Sequence, residues 1–361
     1  MLIHAIVLTV ILLNGALTYY HGRASLKKNK RFVISSFILI FLVQALRASS
    51  VGNDTIRYER LFLSIAQRSD LSSTRWEPLY LLLNRLILHV TNNPQWLLVV
   101  CALIMDIGFS IFILKNTKEN ESAFWPVFLF ICFLHYANSL NVMREYLAIS
   151  IAVQITWVMR DVKGAKRWWI SLLLILVSSM FHAISIIMLF ALVPYLLNKL
   201  SFKTITLASL SMTGILLIFN YVLSFALYLL PQYSVYLESR RFEGQRMGLF
   251  YLSYFLLQVF LAYSVTKLNP DTEENKNLYR LSCLVIISAG LLLFKTQIAI
   301  ALRTGYYFAI FFIVYAPAMI RRIGKMKQIY LSLLLIYGIF FFFHTLGSSE
   351  RGVIPYTFFW Q

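Results

Sequence analysis

Residues Arg47 to Pro78 read RASSVGNDTIRYERLFLSIAQRSDLSSTRWEP, a polar island whose place in the chain decides how everything around it is read. The run carries the charged residues Arg47, Asp54, Arg57, Glu59, Arg60, Arg68, Asp70, Arg75 and Glu77, with arginine but no lysine. It sits in a 361-residue chain that is 59% hydrophobic and 16% aromatic, with mean hydropathy +0.71. That composition excludes a soluble globule. Two apolar runs precede the island, and others of similar length follow it, as expected of membrane-spanning helices.

Working outward, apolar periodicity predicts spans near 2–20, 32–46, 96–114, 124–137, 146–159, 169–181, 183–198, 205–230, 248–266, 281–294, 306–320 and 329–346. Alternating segments of the β-barrel type do not dominate. The first run lacks a basic leader and a small-residue cleavage site, and so reads as a retained span. Residues 79–90 are apolar for only about a dozen positions and include Arg85 and His89, a length that suits a re-entrant or interfacial helix better than a span. Pro78 and Asn92-Asn93-Pro94 bracket it. The expectation is an all-α polytopic membrane protein of about 12 transmembrane helices plus this short outer-face helix. Residues 1–361 form one membrane domain in this reading, with functional loop regions at 47–95 and 231–247.

Charge fixes the orientation. The loops HGRASLKKNKR (21–31), RDVKGAKR (160–167) and RRIGKMK (321–327) are densely basic and belong in the cytoplasm by the positive-inside rule. Alternation then puts both termini and the loops 47–95, 138–145, 231–247 and 295–305 outside. Sorted this way, the cytoplasmic set holds 13 Lys and 7 Arg, and the outer set 12 Arg and 1 Lys. The net charge of +18 therefore follows topology and does not indicate a nucleic-acid partner. Lysine is a hydrated point charge, whereas arginine offers a planar fork that grips carboxylate or phosphate with two parallel bonds. An outer face built almost only from arginine points to a phosphorylated or acidic ligand. The competing reading is that these arginines pair with the eight outer acids for structural reasons.

Five polar constellations lie on that face. Asp54 follows the Gly52-Asn53 turn and is either a helix N-cap or a general base. Glu77 before Pro78 is either a cap for the short helix or an acceptor for a sugar hydroxyl. Arg144 and Glu145, in NSLNVMRE, open a helix at the membrane surface; a cation there is electrostatically unfavourable unless an anion joins it. His182 sits at the tip of a tight turn, as a structural donor or a proton-transfer group. Arg240 and Arg241 in the loop 231–247 form either a diphosphate clamp or part of a solvated loop. Arg303 begins another span beside Tyr306 and Tyr307.

The sequence contains no metal-binding spacing, no Walker loop and no glycine-rich nucleotide loop. No metal or cofactor is expected. Cys101, Cys132 and Cys283 fall in apolar runs and read as small buried hydrophobes. Asp106 is the one acid deep in a span, too few for a proton relay, which weakens a transporter reading.

Arg47, Val51-Gly52-Asn53-Asp54, Tyr58, Glu77-Pro78, Asn141-Val142-Met143-Arg144-Glu145-Tyr146-Leu147-Ala148, Phe181-His182 and Ile354-Pro355-Tyr356 together resemble the EpsG-like branch of the Wzy-type polysaccharide polymerases. The chain departs from that pattern at Asn53, where the family has Thr or Ser, and at Glu145, where Gln is common. The resemblance implies a glycosyltransferase of the bacterial inner membrane with a GT-C-like, lipid-donor architecture. It would join undecaprenyl-diphosphate-linked oligosaccharide repeat units, as donor and acceptor, into O-antigen, capsule or exopolysaccharide on the periplasmic side. A chain-length regulator and other assembly proteins are the further partners implied. In that setting Arg144, Arg240, Arg241 and Arg303 bind diphosphate, Arg47 supports the pocket, Glu145 adds a carboxylate or pairs with Arg144, and Asp54, Glu77 or His182 takes the acceptor's proton. A ligase-like transferase and a lipid-linked oligosaccharide flippase or exporter are the alternatives.

Overall fold

In hydrocarbon each backbone N–H and C=O must find its partner within the protein, which leaves helices as the way for this sequence to cross. The computed structural model describes residues 1–20, 22–67, 76–197, 200–211, 214, 221, 247–294, 301–347 and 351–361. Among these the regular structure is helical, apart from one isolated bridge between Arg47 and Phe358. Among the described residues, five helices are long and apolar enough to cross a membrane: Leu2–Tyr20, Gln95–Asn116, Leu249–Lys267, Glu273–Leu293 and Lys327–Gly347. A sixth crossing is available if Arg303–Ala309 and Phe312–Ile320, bent by 40° at their junction, act as one. The protein is an all-helical, polytopic membrane protein.

The chain divides into two units, Met1–Leu189 with Ser332–Gln361, and Phe190–Leu331. In the first, α1 (Leu2–Tyr20) is followed by α2 (Leu26–Ala45), which starts at an N-cap serine, Ser25, whose side chain accepts from Lys28 N. α3 (Thr55–Gln67) buries Thr55, Tyr58, Leu61, Phe62 and Ile65, the one-faced pattern of an amphipathic helix. α4 (Pro78–Leu88) has proline at its first position, where no N–H is needed. Its 11 residues reach about 16 Å, roughly half the hydrocarbon thickness. The expected short helix is therefore present. α5 (Gln95–Asn116) begins where Asn93 Oδ1 accepts from Gln95 N at 3.0 Å.

The centre of this unit differs from the expected pair of straight spans at 124–137 and 146–159. Four short helices take their place: α6 (Phe124–Cys132), α7 (His135–Asn141), α8 (Met143–Ala152) and α9 (Ile155–Asp161). Leu134 adopts φ +70° at the first break. Nearly every residue from 126 to 159 is buried in protein. Broken backbone is tolerated at membrane depth in such surroundings, where protein groups replace lipid. α10 (Lys166–Ser179) leads to a 3-10 helix at Ala183–Leu192 and on to α11 (Val193–Leu196).

The loops of the first unit gather at two ends. Asn29, at the start of α2, bonds Glu121 O at 2.8 Å and Lys118 O at 3.4 Å, and Arg160 bonds Lys115 O at 2.6 Å and Asn116 Oδ1 at 3.2 Å. Segments 21–31, 115–121 and 160–167, all expected on one side, thus meet. At the other end lies the polar island with the C-terminal tail.

The second unit contains α12 (Leu249–Ser264), α13 (Glu273–Phe294), α14 (Ala301–Ala309) and α15 (Phe312–Ile320). Tyr315 OH donates to Leu261 O at 2.7 Å, Arg322 pairs with Glu274, and Arg280 lies 4.9 Å over the Tyr195 ring. α16 (Lys327–Gly347) returns the chain to the first unit.

Candidate functional site

The site is built on the turn into α4. Glu77 occupies the N-cap position, yet its carboxylate makes no bond to α4. One oxygen, Oε2, pairs with Arg144 Nη1, and the other accepts from the backbone N–H of Ala183 at 3.0 Å. Leu79 N donates to Met180 O at 3.0 Å. The Glu77-Pro78-Leu79 turn is thereby fastened to residues 180–183, next to His182. The expected side-chain cap of α4 is not made; Glu77 instead accepts from the first N–H of the 3-10 helix that starts at Ala183.

Arg144 is in the first turn of α8, where a cation meets the positive end of the helix dipole. Two features offset that cost. The Glu77 carboxylate supplies a charge-assisted bond, and the guanidinium lies over the Trp76 ring, 4.5 Å from its centroid, with Tyr80 at 5.8 Å. Tyr58, Trp76 and Tyr80 form one aromatic cluster with centroid separations of 5.9 to 6.3 Å. The Arg144 and Glu77 side chains keep 18% and 16% exposure, so the pair is shielded but reachable. Among the described residues only Nη1 of Arg144 is engaged by a carboxylate, leaving donors of the fork for a second anion. Glu145, one residue on, is 2% exposed and faces the interior. Adjacent helix positions do not share a face, so the carboxylate that pairs with Arg144 is Glu77.

Arg47 is fully buried. Its Nη1 donates to Gln44 O and its Nη2 to Met143 Sδ at 3.4 Å, while Nε has no partner among the described residues. Burial pushes its guanidinium down to about 10, still far above neutrality, so a positive charge is held beneath the island. Burial raises the Glu59 carboxyl, and Arg47 opposes that shift. Asp54 directly precedes α3 with its side chain 14% exposed, and its carboxylate lies 3.9 Å from Arg57.

The C-terminal tail closes the same end. Ala48 N bonds Thr357 O at 2.9 Å, Gly52 N bonds Gly352 O at 2.7 Å and Phe359 N bonds Leu46 O at 3.0 Å. Gly52 has φ +90°, and a Cβ there would overlap the Leu140 carbonyl oxygen, so glycine is required for the island to lie against α7. Arg351 is 6% exposed and donates from Nε to Asn138 Oδ1 at 2.8 Å and from Nη1 to Thr345 O at 3.1 Å. Asn138 Nδ2 in turn reaches Tyr146 OH, which bonds His135 Nδ1 at 3.0 Å.

Arg47, Asp54, Glu77, Arg144, Glu145 and His182 therefore all belong to the first unit, and direct contacts join Glu77 to Arg144 and to the residue after His182. Arg303 lies in the second unit, in the first turn of α14. Arg240 and Arg241 lie outside the described residues. Sequence reading missed Trp76, Tyr80 and Arg351. The signals available were an aromatic next to Glu77-Pro78, a second aromatic one helical turn further on, and an arginine three residues before Ile354-Pro355-Tyr356.

No curated protein and no solved structure matches the chain. The model of the EpsG family matches residues 30–358, which takes in the polar island, the Glu77–Arg144 pair, His182 and most of the tail. With nearly its whole length covered, the protein belongs to the EpsG family, a Wzy-like polymerase family.

Proposed function

We propose that this protein polymerises lipid-linked oligosaccharide repeat units at the end of the first unit that carries Arg144 and Glu77. Family membership implies an exopolysaccharide or O-antigen polymerase-like function, and the site supplies the chemistry. The donor is a repeat unit on undecaprenyl diphosphate, and the acceptor hydroxyl belongs to a second one. The hydroxyl oxygen attacks the donor's anomeric carbon, the carbon–oxygen bond to diphosphate breaks, and the lipid diphosphate departs with the negative charge. Fixed guanidinium groups aimed at that charge stabilise the transition state without a resident metal. Arg144 meets the diphosphate with its remaining donors, and Arg47 adds positive potential beside it.

Both Glu77 oxygens already accept bonds, so its role is to position Arg144. The acceptor's proton goes to Asp54 or His182. The site faces the periplasm of the inner membrane in a GT-C-like arrangement of about 12 spans. The meeting of the three basic or cytoplasmic segments at the opposite end of the first unit supports that orientation. A chain-length regulator is the partner such a polymerase needs to set product size.

The observation that carries this reading is the convergence of Trp76, Glu77 and Tyr80 on Arg144, with residues 180–183 fastened to the same turn. The test is to supply the purified protein with undecaprenyl-diphosphate repeat units and resolve the products. A ladder with release of undecaprenyl diphosphate supports the polymerase. Transfer to a lipid A acceptor without a ladder would indicate a ligase, and passage of intact repeat units across a bilayer a flippase.

A further inference from the structure

A second polar–apolar surface lies far from the arginine site, at the end of the first unit where segments 21–31 and 115–121 meet. There α1 and α2 border a groove of about 650 Å³. Lys27, Lys30 and Arg31 line its upper part, all exposed. They form no ion pair among the described residues, and no acid lines the groove. Ile34 and Ile38 continue the same wall and are 53% and 54% exposed. Positions 27, 30, 31, 34 and 38 recur at i, i+3, i+4, i+7 and i+11, so cations and isoleucines share one helical stripe. From Lys27 to Ile38 that stripe runs about 16 Å along α2.

The opposite face of α2 is docked, with Asn29 buried against residues 118–121. The stripe itself is left uncovered. The groove also holds a polar pair, Asn14 Nδ2 donating to Ser35 Oγ at 2.9 Å. Three groups of features thus occur in sequence: cations, then hydroxyl and amide, then bare aliphatic surface. A free anion would leave the isoleucines uncovered, a neutral lipid would leave the cations unmatched, and a zwitterionic headgroup would bring a further cation beside the three already there. A phosphate headgroup with a glycerol ester region and an acyl chain satisfies all three.

We propose that the α1–α2 groove is a binding site for an anionic phospholipid of the surrounding bilayer, with its phosphate on Lys27, Lys30 and Arg31 and an acyl chain along Ile34 and Ile38. This inference does not depend on which reaction the other end performs.

The test uses delipidated full-length protein in detergent, titrated with phosphatidylglycerol or phosphatidylcholine of identical chains and read by native mass spectrometry. The wild type is expected to hold one phosphatidylglycerol at least tenfold more tightly than phosphatidylcholine. Replacing Lys27, Lys30 and Arg31 together by glutamine should remove that preference. A charge-matched control, Lys163→Gln with Lys166→Gln and Arg167→Gln, should keep it. Glycerol phosphate at the same concentration should not displace the lipid. Equal retention by the groove variant, equal loss in both variants, or displacement by glycerol phosphate would each overturn the assignment. Thermal unfolding of both variants checks that they are folded; if the groove variant is not, the single changes Lys27→Gln and Arg31→Gln provide the same comparison.

Discussion

Glu77 holds Arg144 through one carboxylate oxygen and the N–H of Ala183 through the other, joining segments that are 67 and 106 residues apart in the chain. One side chain thus sets the position of the arginine and the start of the 3-10 helix beside His182. Charge-assisted bonds in a shielded setting are worth about 1.5–3 kcal/mol each, enough to hold this geometry against thermal motion.

Arg144→Lys should abolish chain growth, because an ammonium cannot engage Glu77 and a diphosphate oxygen with one planar fork. Glu77→Gln keeps the shape and an acceptor for Ala183 N–H but loses the charge, and should lower the rate less severely, by about tenfold to a hundredfold for a loss of roughly 1.5–3 kcal/mol. Product ladders at matched protein level check both.

Trp76→Leu removes the ring beneath the Arg144 guanidinium. A shielded cation–π contact contributes about 1–2 kcal/mol, so apparent affinity for the lipid-linked donor should weaken by about tenfold. Trp76→Phe should recover part of the loss, which a merely space-filling role would not require. Initial rates against donor concentration distinguish the two.

Gly52→Ala places a methyl against the Leu140 carbonyl at a backbone φ of +90°. Left-handed strain costs roughly 1–2 kcal/mol and overpacking about 1–3 kcal/mol more. The variant should melt several degrees lower in detergent, and its tail should become more accessible to protease. Arg351→Met, which strands Asn138 in a buried network, should destabilise by a comparable amount.

Asp54→Asn and His182→Gln separate the two proton acceptors. The group that takes the proton should lose nearly all turnover with donor binding preserved, and the other should retain most of it. Rate and donor-binding measurements on the same preparations decide between them.

Much of this architecture was legible in the sequence, and the limits are physical. Leu2–Tyr20 and Gln95–Asn116 are uninterrupted apolar runs, so hydropathy alone finds them almost to the residue. The breaks at Leu134 and at Val153-Gln154, inside the expected spans 124–137 and 146–159, escaped because neither glycine nor proline marks them; they depend on burial inside the protein. Asp54, Glu77, Arg144 and His182 stood out as polar residues on an apolar background. That Glu77 meets Arg144 could not be read, since pairing across 67 residues leaves no local signal. Trp76 is one of many aromatics in an apolar sequence and carries no local mark of its arginine partner, and Arg351 gave no hint of its partner Asn138, 213 residues away.

The most direct measurement is chain growth by purified wild-type and Arg144→Lys protein, side by side, on undecaprenyl-diphosphate repeat units in the presence of a metal chelator. A ladder and stoichiometric release of undecaprenyl diphosphate are expected from the wild type, and neither from the variant at equal folded protein. Full-length ladders from Arg144→Lys, or a wild-type reaction abolished by chelator and restored by added metal, would contradict that expectation.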